Sequence, residues 1–193
     1  MSERRGFQIR FFGILSILVA VLVLMYGATF RGDPEVSSIL LTATVMLGIG
    51  LTFGVLMTGT TFKFRDMRVV ETLLWTGASF GMILLLQRIV PLTFEITAPI
   101  SPRLLGVLVG VAEECFFRVF LCGVGSIMAG DIGGIIGSSA GWSAYHIPRY
   151  GDNLTILFII FLVGCGLGLI YLKTKFADGV IFGHALVNYV AMS

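Results

Sequence analysis

The sequence predicts an all-α protein, a polytopic transmembrane bundle of about seven helices that forms a single membrane domain over residues 1–193. Three observations predict this fold. Of the 193 residues, 56% are hydrophobic and only 12% are charged, whereas soluble domains carry about 25% charged residues. The mean hydropathy is +0.98. Apolar stretches of the length that a bilayer-crossing helix needs, about 20 residues, recur along the chain.

Turn residues divide the chain into the predicted helices. The segment Arg31–Pro34 separates the first two, and Pro91, Pro99 and Pro102 interrupt the chain before the fourth. Proline ends helices because it lacks a backbone donor and disfavours helix in the residue before it. The predicted helices cover residues 11–30, 36–62, 69–90, 104–122, 127–147, 154–172 and 178–192. No linker or low-complexity segment separates them, so we expect one compact domain.

The lysines and arginines between the helices predict how the bundle is oriented. With the N-terminus in the cytoplasm, eight of them lie on the inner side and four on the outer side. The inner residues are Arg4, Arg5, Arg10, Lys63, Arg65, Arg68, Lys173 and Lys175, and the outer ones are Arg31, Arg88, Arg103 and Arg149. Cytoplasmic loops carry the excess of positive charge, so we expect a cytoplasmic N-terminus. The apolar run 11–30 exceeds the ~7–15 residues of a signal-peptide core and lacks its cleavage site, which predicts an uncleaved first helix.

Charge and cysteine content argue against two other classes of protein. The net charge of +2 is spread along the chain and forms no basic patch for a nucleic acid. Cys115, Cys122 and Cys165 lie in apolar stretches without CxxC spacing, which predicts neither a disulfide framework nor a structural zinc site. We interpret them as buried thiols that pack as small hydrophobic side chains.

Glycines recur at four-residue spacing in three of the predicted helices. They are Gly50/Gly54, Gly133/Gly137/Gly141 and Gly164/Gly168. Small residues on one face of a helix let two backbones approach closely in lipid. We interpret these repeats as helix-packing surfaces and assign them no chemistry.

The fourth predicted helix carries three charged residues near its middle, although charge inside a bilayer costs about 2.5–3.5 kcal/mol on insertion scales. Glu114 and Arg118 are one turn apart in the favourable order, and their pairing would neutralise both. Glu113 is turned about 100° away from Glu114 and has no partner within its own helix. A desolvated, unpaired carboxylate suits a general base near neutral pH. We therefore predict that Glu113 is the base and the Glu114–Arg118 pair is a brace; the alternative is a charge cluster that only locks helices together.

Both histidines of the chain fall in apolar segments. His146 ends the fifth predicted helix, and His184 lies in the seventh, one turn before Asn188 on the same face. A lone buried histidine is more often a core residue than a catalyst. Together with the charged residues of the fourth helix, however, the set offers a base, a proton shuttle and donors for an oxyanion. We expect helices 4, 5 and 7 to converge on one polar cavity lined by Glu113, His146, His184 and Asn188.

The ordered motifs resemble those of the CPBP family, which includes the CAAX prenyl proteases of the Ras-converting type and the bacteriocin-processing or Abi proteins. The matches are Glu-Glu-x-x-x-Arg at Glu113, Glu114 and Arg118, aromatic-x-x-x-His at Trp142 and His146, and His-x-x-x-Asn at His184 and Asn188. The family-like core covers about residues 104–192. In the family the second motif usually begins with Phe. Trp142 places another apolar ring there, so we expect little change.

The resemblance implies an intramembrane endopeptidase of the glutamate type, which hydrolyses a peptide bond of a membrane-associated peptide or protein. It implies that Glu113, helped by His146, activates a water, and that His184 and Asn188 stabilise the oxyanion. No metal or other cofactor is expected. Prenylated C-terminal tails, leader peptides and membrane-anchored sorting signals are all candidate substrates.

Three alternatives stay open at this point. Two histidines and a glutamate also form a catalytic zinc set in soluble peptidases, although the chain has no HExxH helix and Arg118 adds positive charge. Cys115 is a candidate nucleophile, although it points about 200° away from Glu113 on a helix. The polar cluster could also serve a transporter or a membrane scaffold, although the two halves of the chain show no repeat of the kind found in many transporters.

Overall fold

The computed structural model describes residues 36–58, 69–89, 101–151, 153–174 and 177–191. All regular structure within these ranges is helical, which confirms the predicted fold class. The first described helix, α1, consists of Val36–Ile49, a π-helical turn over Gly50–Gly54 and a final turn over Val55–Thr58. Helix α2 covers Val69–Ile89. The predicted helix 11–30 lies outside the described residues.

The next helical stretch runs from Pro102 to Tyr145 and reverses direction at Gly130. It consists of Pro102–Glu114, the π-helical segment Cys115–Cys122, and Gly123–Tyr145. Gly130 has φ 77° and ψ 167°, a conformation that is open to glycine and strained for other residues. Residues 102–129 therefore form one helix, α3, and residues 131–145 form the next, α4.

Three helices complete the described part of the chain. The short α5 covers Ile147–Tyr150, α6 covers Leu154–Thr174, and α7 covers Asp178–Ala191. Six of the seven predicted helices fall within the described ranges, and each corresponds to one of the long helices α1, α2, α3, α4, α6 and α7. The hydrophobic stretches of the sequence therefore located these helices.

The predicted break between the fourth and fifth helices, at residues 123–126, was wrong. The chain stays helical through this segment and turns at Gly130. A Cβ built on Gly125 would lie 3.0 Å from the Cα of Gly134. Gly125, which lies within the predicted break, and Gly134 thus allow α3 and α4 to touch, because each lacks the side chain that would hold the two backbones apart.

The length and composition of the helices fit a membrane protein. Three stretches, Ile39–Thr58, Pro102–Tyr145 and Leu154–Thr174, are long and apolar enough to cross a bilayer, and the second of them contains the reversal at Gly130. Large apolar side chains point outward from several helices. Examples are Leu56, Val70, Leu73, Leu74, Leu104, Ile132 and Leu154. Such an outer surface is suited to lipid, which solvates apolar side chains.

The π-helical segment Cys115–Cys122 lies at the centre of the bundle. All of its residues except Leu121 are buried. Phe116 contacts Phe117 edge-on with ring centroids 5.0 Å apart, and Phe117 contacts Tyr145 of α4 at 5.7 Å. π-Helical turns are rare and are found frequently at functional sites, and this one begins directly after Glu114.

Two of the three glycine repeats pack helices together as predicted. A Cβ built on Gly50 of α1 would lie 2.8 Å from the Cβ of Cys115 on α3, and one built on Gly164 of α6 would lie 3.0 Å from the Cβ of Ser139 on α4. The repeat in α4 is confirmed in part. A Cβ on Gly133 would lie 2.7 Å from the Cβ of Ala129, and one on Gly141 would lie 3.8 Å from side-chain atoms of Leu121 and Phe117. Gly137 has no described atom within 4 Å of such a Cβ, and the close approach of the two backbones is made by Gly134, which the repeat did not include.

Gly134→Ala and Gly137→Ala are expected to have different effects on stability. A Cβ at Gly134 would lie 2.5 Å from the backbone N of Ser126 and 2.6 Å from the O of Cys122, so the two helices would have to separate. We expect Gly134→Ala to destabilise the protein by about 1–3 kcal/mol, as overpacking does. Gly137→Ala should instead be neutral or stabilise it by up to about 1 kcal/mol through helix propensity. Thermal unfolding in detergent measures both, and equal effects would contradict the close approach.

Candidate active site

Helix α3 places two adjacent carboxylates in the interior of the bundle. Glu113 is 4% exposed, and Glu114 is fully buried. They lie about 17 Å along the helix from Pro102, at 1.5 Å per residue, close to the middle of α3. A charged group at this depth needs partners within the protein.

Glu114 contacts two basic side chains, Arg118 and His184. Its Oε2 lies 3.2 Å from the Nε of Arg118, which confirms the predicted one-turn pair. Its Oε1 lies 2.8 Å from the Nδ1 of His184. A carboxylate oxygen accepts, so His184 donates through Nδ1. Glu114 therefore links α3 to α7, a contact across 70 residues of sequence that helical spacing could not reveal.

Glu113 faces α4 and accepts a hydrogen bond from Trp142. The distance from the indole Nε1 to Oε2 is 2.8 Å. The expectation that a tryptophan here would behave like a phenylalanine was wrong, because phenylalanine has no donor. The signal was present in the sequence, since a buried indole usually needs a hydrogen-bond partner.

The Trp142 ring contacts the other polar side chains of the site. The Cζ of Arg118 lies 4.4 Å from the ring centroid, within the range of a cation–π interaction. His146 and His184 both meet the ring edge-on, with centroid distances of 5.3 Å and 5.9 Å. Both histidines therefore border one indole, although they come from different helices.

His146 stands at the end of α4, before the short helix α5. Its Nδ1 lies 2.8 Å from the backbone O of Trp142. Because a carbonyl oxygen can only accept, Nδ1 carries the proton, and Nε2 is the basic nitrogen of the neutral ring. Tyr145 meets the imidazole edge-on at 5.5 Å, and Tyr150 stacks on it at 6.0 Å. These contacts fix the orientation of the ring.

Asn188 lies one turn after His184 on α7, and both face α3 as predicted. The Nδ2 of Asn188 donates to the backbone O of Gly106 at 3.0 Å. Gly110, which the motifs did not single out, permits this approach, because a Cβ there would lie 3.1 Å from Nδ2. Asn188 is thus anchored about two turns from Glu114, toward the start of α3.

Cys115 points away from the two carboxylates. It is buried against Gly50 of α1, whereas Glu113 bonds to α4 and Glu114 to α7. Within the part of the chain that the structure describes, no three His, Cys, Asp or Glu side chains have the arrangement of a metal site.

The structure brings the predicted site residues of helices 4, 5 and 7 together around one indole. Glu113, Glu114 and Arg118 of α3 contact Trp142 of α4 or His184 of α7, and His146 borders the same ring. Asn188 occupies the same face of α7 one turn away. Their individual roles in a reaction stay predictions.

Fold and site together define a helical membrane protein with a buried carboxylate–histidine cluster between three helices. Residues 96–190, about half of the chain, match the Rce1-like type II CAAX prenyl endopeptidases. Through this segment the chain belongs to the Rce1-like family, which confirms the resemblance of the motifs. Membership makes it a membrane-embedded peptide hydrolase of the CAAX protease kind. Neither the comparison with curated proteins nor that with solved structures finds a match.

Proposed function

We propose that this protein is an intramembrane endopeptidase of the glutamate type, in which Glu113 activates the water that attacks a peptide carbonyl. One observation carries the proposal: the buried carboxylate of Glu113 bonds to the indole that both histidines border. Glu114 contacts Arg118 through one oxygen and His184 through the other, so both of its oxygens are engaged in these contacts. Glu113 accepts the hydrogen bond from Trp142 through Oε2, and it is the carboxylate that we assign to the water.

His146 is the side chain we assign to carry the proton onward. A carboxylate in a buried site works repeatedly as a base only if its proton can move on. The tautomer that the Trp142 carbonyl selects leaves Nε2 basic. The imidazole also borders the indole that bonds Glu113, so the proposed base and the side chain that would accept its proton both contact Trp142.

His184 and Asn188 are the side chains we assign to the oxyanion of the tetrahedral intermediate. Asn188 has a second amide N–H besides the one it donates to Gly106. His184 donates to the Glu114 carboxylate through Nδ1, which fixes the orientation of its ring, and in the protonated imidazole Nε2 is a second donor. Donors fixed in this way before the reaction stabilise negative charge as it develops.

We further propose that the chain crosses the membrane several times with its N-terminus in the cytoplasm, on the basis of the distribution of lysine and arginine. The site then lies within the bilayer and takes a membrane-associated peptide. Prenylated tails, leader peptides and sorting signals all present a peptide bond to such a site, and the choice among them is open to experiment.

Turnover by the purified protein tests this function. In detergent, the protein is expected to hydrolyse a fluorogenic peptide, either prenylated or carrying another membrane anchor. Because the proposed chemistry uses neither metal nor thiol, a strong chelator and a thiol-blocking reagent should leave the rate unchanged. Cys115→Ala should also retain turnover, since the thiol packs against α1.

Each alternative gives a distinct result in the same assay. Stoichiometric zinc, with activity lost to the chelator and restored by added zinc, would replace the proposal with a metal-dependent peptidase. Loss of activity on alkylation and in Cys115→Ala would indicate a cysteine nucleophile. No cleavage of any peptide by folded protein would favour a scaffold or a transporter.

A further inference from the structure

We infer that Trp142 is a positioning residue, whose indole N–H fixes the orientation of the Glu113 carboxylate. The inference rests on the proposed role of Glu113 as the base. It assigns a task to a side chain that the second motif treats only as an aromatic ring.

The hydrogen bond between the two side chains is short and shielded from the surface of the bundle. The Nε1–Oε2 distance is 2.8 Å, and both residues are almost completely buried, Trp142 at 2% and Glu113 at 4% exposure. A hydrogen bond to an ionised acceptor is stronger than one between neutral groups, and a low local dielectric strengthens it further. The bond also fixes the plane of the carboxylate and thereby the direction of its second oxygen.

The indole is held in place by packing on several sides. Gly164 of α6 lies against its benzene ring, since a Cβ there would be 3.1 Å from the Cε3 of Trp142. The guanidinium of Arg118 lies over the ring, and the two histidines meet its edges. The donor therefore has its orientation before any substrate binds, as preorganised stabilisation of charge requires.

Among the described residues, four charged or titratable side chains adjoin this hydrogen bond. Glu114 and Arg118 form an ion pair at 3.2 Å on α3, and His146 of α4 and His184 of α7 meet the indole edge-on. Because these groups can change charge over the range of an assay, the effect of Trp142 must be measured across pH and not at one pH.

Trp142→Phe keeps an aromatic ring and removes only the donor. We expect kcat to fall by about 10–100-fold at every pH, because the carboxylate is no longer held in its reactive orientation, whereas KM should change little. Trp75→Phe, in the only other tryptophan of the chain, is the matched control and should leave both constants unchanged. A rise in KM at unchanged kcat, or kinetics equal to the wild type, would overturn the inference.

A spectroscopic measurement separates this inference from the proposed function. In Trp75→Phe protein Trp142 is the only indole, so the N–H-sensitive band of its ultraviolet resonance Raman spectrum reports this hydrogen bond alone. The band should indicate a strong bond that is lost in Glu113→Ala and persists in His146→Gln and His184→Gln. A band that is unchanged in Glu113→Ala would overturn the inference. If the wild type cleaves no peptide, the proposed function fails, and the Raman spectrum still decides whether Trp142 bonds to Glu113.

Discussion

Glu113→Gln is expected to reduce kcat/KM by about 10²–10⁴-fold, the range typical for loss of a general base, while the protein stays folded. Glutamine has nearly the same shape, and its carbonyl oxygen can still accept the hydrogen bond from Trp142. It cannot take a proton from water. Measurements of peptide turnover and thermal unfolding on the same preparation separate the chemical loss from any loss of structure.

Glu113→Asp is the matched control for this substitution. Aspartate retains the charge and the basicity but withdraws the carboxylate by one methylene, so we expect it to keep part of the activity that glutamine loses. Near-normal turnover by Glu113→Gln would show that another group activates the water.

Glu114→Gln is expected to lower the free energy of unfolding by about 3–5 kcal/mol, the cost of leaving a buried charge without its partner. Arg118 is fully buried, and among the described residues its terminal nitrogens have no protein acceptor. The same change replaces the carboxylate that holds His184 by a neutral amide, so turnover should fall as well. Chemical or thermal unfolding in detergent measures the loss.

The double variant Glu114→Gln/Arg118→Met tests the cause of that loss. If the cost comes from a stranded guanidinium, removing the guanidinium should restore part of the stability, and the two substitutions should be strongly non-additive. Additive losses would contradict the view that Glu114 and Arg118 act as one brace.

The sequence predicted the features of the fold that depend on local composition. Hydrophobic length located the six long helices within the described ranges, and proline placed the start of α3. It did not predict the turn at Gly130, because glycines that break a helix and glycines that pack one look alike until the partner is known. Gly125 became interpretable only when Gly134 was found beside it. The π-helical segment after Glu114 was also missed, since it is a change in hydrogen-bond register without a sequence signature.

In the site, too, the sequence predicted local contacts and missed contacts between helices. Helical spacing predicted the Glu114–Arg118 pair and the shared face of His184 and Asn188, because residues one turn apart are neighbours on any helix. The bonds from Trp142 to Glu113 and from His184 to Glu114 join residues 29 and 70 positions apart. Such contacts depend on how the helices pack, and the spacing of residues within one helix does not show which residues of another helix it will contact.

The bonded residues are separated by different lengths of sequence, and this difference has a consequence for biosynthesis. The hairpin of α3 and α4 brings Trp142 to Glu113 soon after both leave the ribosome, whereas His184 follows roughly 40 residues later. At about 5–20 residues per second, the nascent chain spends several seconds with the proposed base in place and without the α7 side chains. The proposed site is therefore complete only once α7 has packed against α3 and brought His184 to Glu114.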